Sequence, residues 1–328
     1  MRYLDLDGRR LSVVGLGCWQ VGDRAWGYGT EYSQEDAMAV IQRALDLGVT
    51  VFDTAELYGS GRSEMLVGSA LKSWAGDRFL ATKFLPIMPT PRVMVSHCGR
   101  SLDRLQVPLV DLYQIHWTNP TVPLTVQMTA MRRVLRLGMS RYAGVSNFSL
   151  QRWISAERLL GQPVISNQVR YNLLQRKPER SGLLEYAQRN SRLVFAYSPL
   201  AQGLLSGRYR AGGGPRDVRR VNPLFTDAAL TAAAPLLETL QQVADAHQSS
   251  PAQVALAYLI AQPQVIVIPG AKSVEQLEAN VAAADIELSG EELQSLRREA
   301  DLFHYSRLKA AGQVAARLLP RRRRSGRR

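Results

Sequence analysis

The chain has 328 residues, 46% hydrophobic and 21% charged, the balance of a globular protein able to bury a sizeable core. No apolar run reaches the roughly 20 residues needed to cross a bilayer, the first ten residues lack the apolar centre of a signal peptide, and the two cysteines, Cys18 and Cys98, lack metal-ligand spacing. The expectation is a reduced, cytoplasmic protein without a metal site, whose net charge of +13 falls to +6 once the seven arginines of residues 317–328 are subtracted.

In chain order, residues 3–14 alternate apolar and polar positions around Asp7-Gly8, a hairpin pattern that would close one end of the main structure. Strand-like runs then recur at 13–16, 49–54, 79–83, 109–116, 142–145, 164–168, 193–197 and 265–268. Helices are expected between them: one capped by Ser33 and running to about 47, then 64–73, 91–105, 123–137, 150–160 and 178–189. Further helices fall within 228–261 and over 274–283. Eight strands, each followed by helix, predict a (β/α)8 TIM barrel with an N-terminal β-hairpin. A doubly wound sheet would want Gly-x-Gly-x-x-Gly after the first strand, and Gly15-Leu-Gly17-Cys-Trp-Gln lacks the third glycine.

Ser289 and Glu292, spaced as a capping box, open an extra C-terminal helix to about 300. The segment 203–225, with Gly212-Gly-Gly-Pro215 inside it, is too long for an ordinary connector and suits a lid. A single barrel domain is expected over 1–312, followed by a basic, disordered tail over 313–328. Arg321 to Arg324 with Arg327 and Arg328 could engage nucleic acid or an anionic surface. The absence of interleaved aromatic residues favours a solvated tail.

Three strand ends carry reactive groups. The run Val49-Thr-Val-Phe-Asp-Thr-Ala-Glu-Leu-Tyr-Gly59 delivers Asp53 and Tyr58, 79–83 ends on Lys83, and 109–116 ends on His116. In parallel barrels that edge is where reactive groups collect. A phenol, with its ordinary pKa near 10, needs a neighbouring ammonium to ease its ionisation, and a carboxylate would keep that ammonium charged and oriented. A neutral histidine could hydrogen-bond a carbonyl oxygen. The set suits proton transfer to an oxygen that gains charge as a hydride reaches carbon. Lysine is scarce, five of 41 basic residues, which draws notice to Lys83 and Lys272. A class I aldolase with Lys83 as Schiff-base nucleophile is the alternative. Asp53, by keeping Lys83 protonated, counts against it.

With these residues in view, the chain resembles the aldo-keto reductase superfamily from about residue 3 to 303. Phe-Asp-Thr-Ala-x-x-Tyr-Gly, Thr82-Lys83 and Gln114-Ile-His116-Trp117 match its tetrad motifs in order and spacing. The resemblance implies Tyr58 as general acid/base, Lys83 and Asp53 as the pair that tunes it, His116 as orienter of the carbonyl, and NADPH as cofactor. It also implies that Ser146, Asn147 and Gln168 hold the nicotinamide carboxamide, and that Tyr197, in Tyr197-Ser198-Pro199-Leu200, stacks on the nicotinamide ring, with Ser198 and Leu200 among the cofactor contacts. Gly270, Lys272, Ser273, Gln276 and Asn280 match the segment around the adenosine 2′-phosphate and adenine. Lys272 and Ser273, opening a helix, add charge, a hydroxyl and free N–H groups. Ala279 stands where some branches carry an acid, with Glu278 one position earlier, while Gly270 and Ala271 resemble the bacterial and channel-subunit-like branches. Trp19 and Trp117 are expected to flank the substrate carbonyl, with Trp26 and Tyr28 as further wall or as packing. The expected activity is reduction of an aldehyde or ketone. Since relatives of this branch serve as channel subunits, a non-enzymatic NADP(H)-binding regulatory subunit is the alternative that the resemblance brings with it.

Overall fold

The computed structural model describes residues 1–215 and 217–318. Strands β1 (Tyr3–Leu6) and β2 (Arg9–Ser12) form an antiparallel hairpin that turns at Asp7-Gly8. Eight parallel strands follow: β3 (Leu16–Gly17), β4 (Val51–Asp53), β5 (Phe79–Phe84), β6 (Val110–Ile115), β7 (Ser140–Ser146), β8 (Val164–Arg170), β9 (Leu193–Tyr197) and β10 (Val265–Val267). They pair in sequence order. A bridge between Val14 and Val267 joins the last strand to the first, with Gly15 N–H donating to the Val267 carbonyl at 2.8 Å and Val267 N–H to the Val13 carbonyl at 2.9 Å. The (β/α)8 reading holds, and the hairpin with it.

The helices are α1 (Gln34–Asp46), α2 (Arg62–Leu71), α3 (Pro91–Leu105), α4 (Leu124–Arg136), α5 (Leu150–Leu160), α6 (Lys177–Arg180), α7 (Leu183–Arg189), α8 (Asp227–Ala246), α9 (Pro251–Ile260), α10 (Val274–Ala282), α11 (Gly290–Asp301) and α12 (Arg307–Leu318). Ser33 caps α1 in a full capping box: its hydroxyl accepts from Asp36 N–H, and the Asp36 carboxylate accepts from Ser33 N–H. The helix expected over 178–189 is instead two, α6 and α7. Gly182, at φ 74°, takes a left-handed conformation that no continuous helix contains.

The chain divides into two compact units. The first, Met1–Pro199 with Leu256–Leu288, holds the hairpin and all eight barrel strands. Its core is the barrel interior. Val51, Phe79, Ala81, Leu112, Leu193, Phe195 and Ile266 fill it, and Leu6 and Leu11 of the hairpin join the same cluster, closing the N-terminal end of the strands. Each buried Val, Leu, Ile or Phe side chain among them contributes about 1.5–3 kcal/mol. With apolar residues filling that end, polar inward positions are left to the opposite, C-terminal end. The alternation along a strand then dictates which ones: Val51 is followed by Asp53, Ala81 by Lys83, and Leu112 by Gln114.

The second unit, made of the described residues from Leu200 to Ala255 and from Ser289 to Leu318, contains α8, α11 and α12. His247 and Glu292, 2.9 Å apart, tie the end of α8 to the start of α11. The long 203–225 segment is organised by short 310 turns and by Arg219, which pairs with Asp217 and donates to the Gln202 carbonyl at 2.9 Å. Helix α12 runs through residue 313, where a tail was expected to begin. Ala310 is buried, and the Arg317 guanidinium donates to the carbonyls of Arg220 and Phe225, each at 3.0 Å. Arg321 to Arg324, Arg327 and Arg328 lie outside the described residues. No helix among the described residues is long and apolar enough to cross a membrane.

Candidate active site

Asp53, Tyr58, Lys83 and His116 come together at the C-terminal ends of β4, β5 and β6. Lys83 is fully buried, and its ammonium spends all three donors: on Asp53 Oδ2 at 2.6 Å, the Thr54 carbonyl at 2.7 Å and the Tyr58 hydroxyl at 3.1 Å. The other Asp53 oxygen accepts from Gln168 Nε2 at 2.8 Å and, more weakly, from Gln114 Nε2 at 3.4 Å. Gly144 makes this packing possible, because a Cβ there would lie 2.4 Å from Ser166 Oγ and 2.8 Å from Gln114 Cγ. The His116 ring meets the Tyr58 ring edge-on, with centroids 5.7 Å apart.

These contacts set the charge states. Burial pulls the Lys83 ammonium down, but Asp53, then Tyr58, and the hydrogen bonds to both hold its pKa above the ordinary value. Lys83 is therefore a cation and a poor imine-forming nucleophile. Burial raises the Tyr58 phenol, and Lys83 opposes this only in part, so the pKa stands above its usual value. The sequence stressed the lysine's acidifying effect; in the folded site desolvation outweighs it and the phenol keeps its proton. For His116, burial first and Lys83 second lower the pKa from 6.5 to about 2. The imidazole is neutral.

That last shift has a consequence for stability. Below pH 6.5 the unfolded chain takes up a proton at His116 that the folded chain refuses until about pH 2, so stability from this group falls as pH falls across that window. At pH 5 the loss relative to pH 7.5 is expected to be about 2 kcal/mol. Urea titrations at both pH values should show wild type losing that much more than His116→Gln. An equal loss in both proteins would mean that His116 protonates freely in the folded state.

Around this centre, Trp117 stacks on His116 with centroids 3.9 Å apart, and Trp19 lies 6.3 Å from Tyr58. Both indoles are partly exposed, whereas Trp26 is buried edge-on against Trp19 at 5.0 Å. Beside the tetrad, Asn147 Nδ2 donates to Ser146 Oγ at 3.0 Å, and the Tyr197 hydroxyl donates to Asn147 Oδ1 at 2.9 Å. Gln168 meets this group from β8, with its amide nitrogen committed to Asp53. Asn172 Nδ2 donates to the Ser198 carbonyl at 3.0 Å, while Leu200 opens the second unit.

After β10, Ser273 caps α10 and accepts from Gln276 N–H, Gln276 Oε1 accepts from Lys272 N–H at 3.1 Å, and Asn280 reaches the Gly270 carbonyl at 3.5 Å. The Gln20 amide fills the space where a side chain at position 270 would stand. Glu278 is turned away to Arg43 of α1, 2.7 Å off. Lys272 Nζ pairs with Glu31 Oε2 at 2.7 Å. Glu31 stands 241 residues from Lys272 in the sequence, so no local window brings the two together. Sequence reasoning passed over Thr54 and Gln114. Gln114 carried a legible signal, standing two positions before His116 and so on the same side of β6.

The sequence model of the Aldo/keto reductase family matches residues 13–300. The chain is 48% identical over 305 residues to an uncharacterized oxidoreductase of Mycobacterium bovis, covering 92% of this chain and 94% of the relative. It is 31% identical to the L-glyceraldehyde 3-phosphate reductase of Escherichia coli strain K12, covering 86% of each. Its fold is similar to the crystal structure of an aldo-keto reductase from Klebsiella pneumoniae in complex with NADPH, with a TM-score of 0.72, 31% identity, and 93% of this chain and 96% of that one covered.

Proposed function

The chain belongs to the aldo/keto reductase family, and from that premise we propose that it reduces an aldehyde or ketone to an alcohol with NADPH as cofactor. The observation that carries the reading is the Lys83 ammonium bonded at once to Asp53 and to the Tyr58 hydroxyl, beside a neutral His116. A carbonyl substrate would lie between the phenol and the imidazole, with Trp19 and Trp117 flanking it. When bound, the cofactor's chemistry is hydride donation to the carbonyl carbon. Tyr58 then gives its proton to the oxygen that becomes an alkoxide, and Lys83 stabilises the phenolate left behind. His116 orients the oxygen without carrying charge. Asp53 holds Lys83 charged and in place.

The donor set suits the cofactor. Ser146, Asn147 and Gln168 offer the hydroxyl and amides that a carboxamide needs, and the Tyr197 ring stands beside them to stack on the nicotinamide. Lys272 and Ser273, at the opening of α10, offer an ammonium, a hydroxyl and helix N–H groups to the 2′-phosphate. Gln276 and Asn280 extend the same face towards adenine. The test is carbonyl-dependent NADPH consumption over a panel of aldehydes, ketones and sugar derivatives, among them glyceraldehyde 3-phosphate, the substrate named for the Escherichia coli relative. NADPH binding without turnover on any of them would turn the reading to a regulatory subunit.

Cofactor choice follows from one side chain. Lys272→Ala is expected to narrow the preference for NADPH over NADH by about ten-fold or more, the scale of one charge-assisted contact of about 1.5–3 kcal/mol. The measurement is kcat/KM for both cofactors in wild type and variant. An unchanged ratio would move the phosphate away from Lys272.

A further inference from the structure

The β3–α1 connection reaches the loop after β10 and sets a carboxylate on the cation assigned to phosphate. Asp23 accepts from Ala25 N–H to cap a 310 turn over Arg24–Trp26. Gly27 follows at φ 90°, and its carbonyl accepts from Glu31 N–H at 2.7 Å and from the Thr30 hydroxyl at 3.1 Å. The Glu31 side chain folds back over Gly27, where any Cβ would come within 2.7 Å of its carboxyl group. Only glycine satisfies both the backbone angle and that close approach. The carboxylate ends 2.7 Å from Lys272 Nζ, and the Tyr32 ring lies 5.9 Å from the same ammonium. The Tyr32 hydroxyl in turn donates to the Gln20 carbonyl, and the Gln20 amide packs on Gly270. The two loops are thus fastened at Gly270 and at Lys272, and the second fastening is an ion pair.

That pair faces water: the side chains of Lys272 and Glu31 are 24% and 58% exposed. Exposed ion pairs are weak. A phosphate dianion brings more charge and more acceptor oxygens than one carboxylate, so it can displace Glu31. An NADH ribose hydroxyl cannot.

We propose that Glu31 is an internal competitor for the 2′-phosphate, a carboxylate that occupies Lys272 in the free protein and must be displaced when the phosphorylated adenosine binds. The proposal rests on the assignment of Lys272 to the 2′-phosphate. Glu31 then lowers affinity for 2′-phosphorylated adenosines alone, and its return to Lys272 favours their release. Gln at this position keeps the shape and removes the charge.

The test is calorimetric binding of adenosine 2′,5′-diphosphate and of adenosine 5′-diphosphate to the full chain. Wild type, Glu31→Gln, Lys272→Ala and the double variant are compared. Glu31→Gln should bind the 2′,5′-diphosphate about five-fold more tightly, the scale of releasing one exposed ion pair plus a nearby repulsion, and the 5′-diphosphate with unchanged affinity. Lys272→Ala should weaken the 2′,5′-diphosphate about ten-fold, and Glu31→Gln should add little in that background. An unchanged 2′,5′-diphosphate affinity in Glu31→Gln, with Lys272→Ala still weakened, would overturn the competitor and leave the phosphate site standing. Equal weakening of both ligands in Glu31→Gln would make Glu31 a loop-shaping residue and also overturn the proposal. No effect of Lys272→Ala would remove the phosphate assignment itself.

Discussion

Tyr58→Phe should lower kcat about 10³-fold, within the span that a positioned general acid contributes, and leave the NADPH dissociation constant nearly unchanged. The asymmetry follows from where the hydroxyl points its interactions. Its described partner is the Lys83 ammonium at 3.1 Å, and it makes no hydrogen bond to Ser146, Asn147, Gln168 or Lys272. Removing one oxygen therefore takes away the proton donor without touching the groups assigned to the cofactor. The ring stays, so the edge-on contact with His116 and the packing against Trp19 survive. Because burial holds the phenol's pKa above its ordinary value, the donor stays protonated throughout the neutral range. Reductive turnover should accordingly show no fall through neutral pH from loss of this proton. Single-turnover rates and cofactor fluorescence titrations on both proteins separate the two quantities. A Tyr58→Phe rate within ten-fold of wild type would remove the phenol from the proton-transfer step.

The sequence made some of this legible because the relevant signals are short. Ser289 and Glu292 are three residues apart and cap one helix end, so their box is readable without knowing the fold. Strands β5 and β6 are buried along their whole length, and the strand-like runs that mark them in the sequence, 79–83 and 109–116, end on Lys83 and His116. The barrel then forces those ends together. Other features depend on pairs that no local window contains. Glu31 meets Lys272 across 241 positions, and no local window shows that this lysine has a carboxylate partner. The break between α6 and α7 turned on Gly182, which a tolerant helical pattern absorbed. Helix α12 was hidden by the basic composition after residue 313, although Ala310 and Arg317 have specific places to go. The direction of the Tyr58 shift also needed the fold, because desolvation is a property of what surrounds the ring.

Lys83→Met is expected to be the most damaging single change, and it should damage stability and turnover for different reasons. Methionine nearly fills the lysine's volume, so no large cavity forms. What it leaves is the Asp53 carboxylate, 2% exposed, with Gln168 and Gln114 as remaining donors and no cation. Breaking a buried pair from one side costs about 3–5 kcal/mol, a large part of the roughly 5–15 kcal/mol that keeps a domain folded. Turnover should fall by about 10² or more as well, because Tyr58 loses the charge that accepts its phenolate. The two losses separate in the double variant Asp53→Asn with Lys83→Met. There the buried charge is gone from both sides, and replacing such a pair by neutral groups is often close to neutral for stability. Urea midpoints should therefore recover most of the loss in the double variant while kcat remains low. Recovery of both would place Lys83 in the scaffold alone. If Lys83→Met unfolds at the wild-type urea concentration, water reaches Asp53 and the pair is not the sealed unit that its 2.6 Å contact describes.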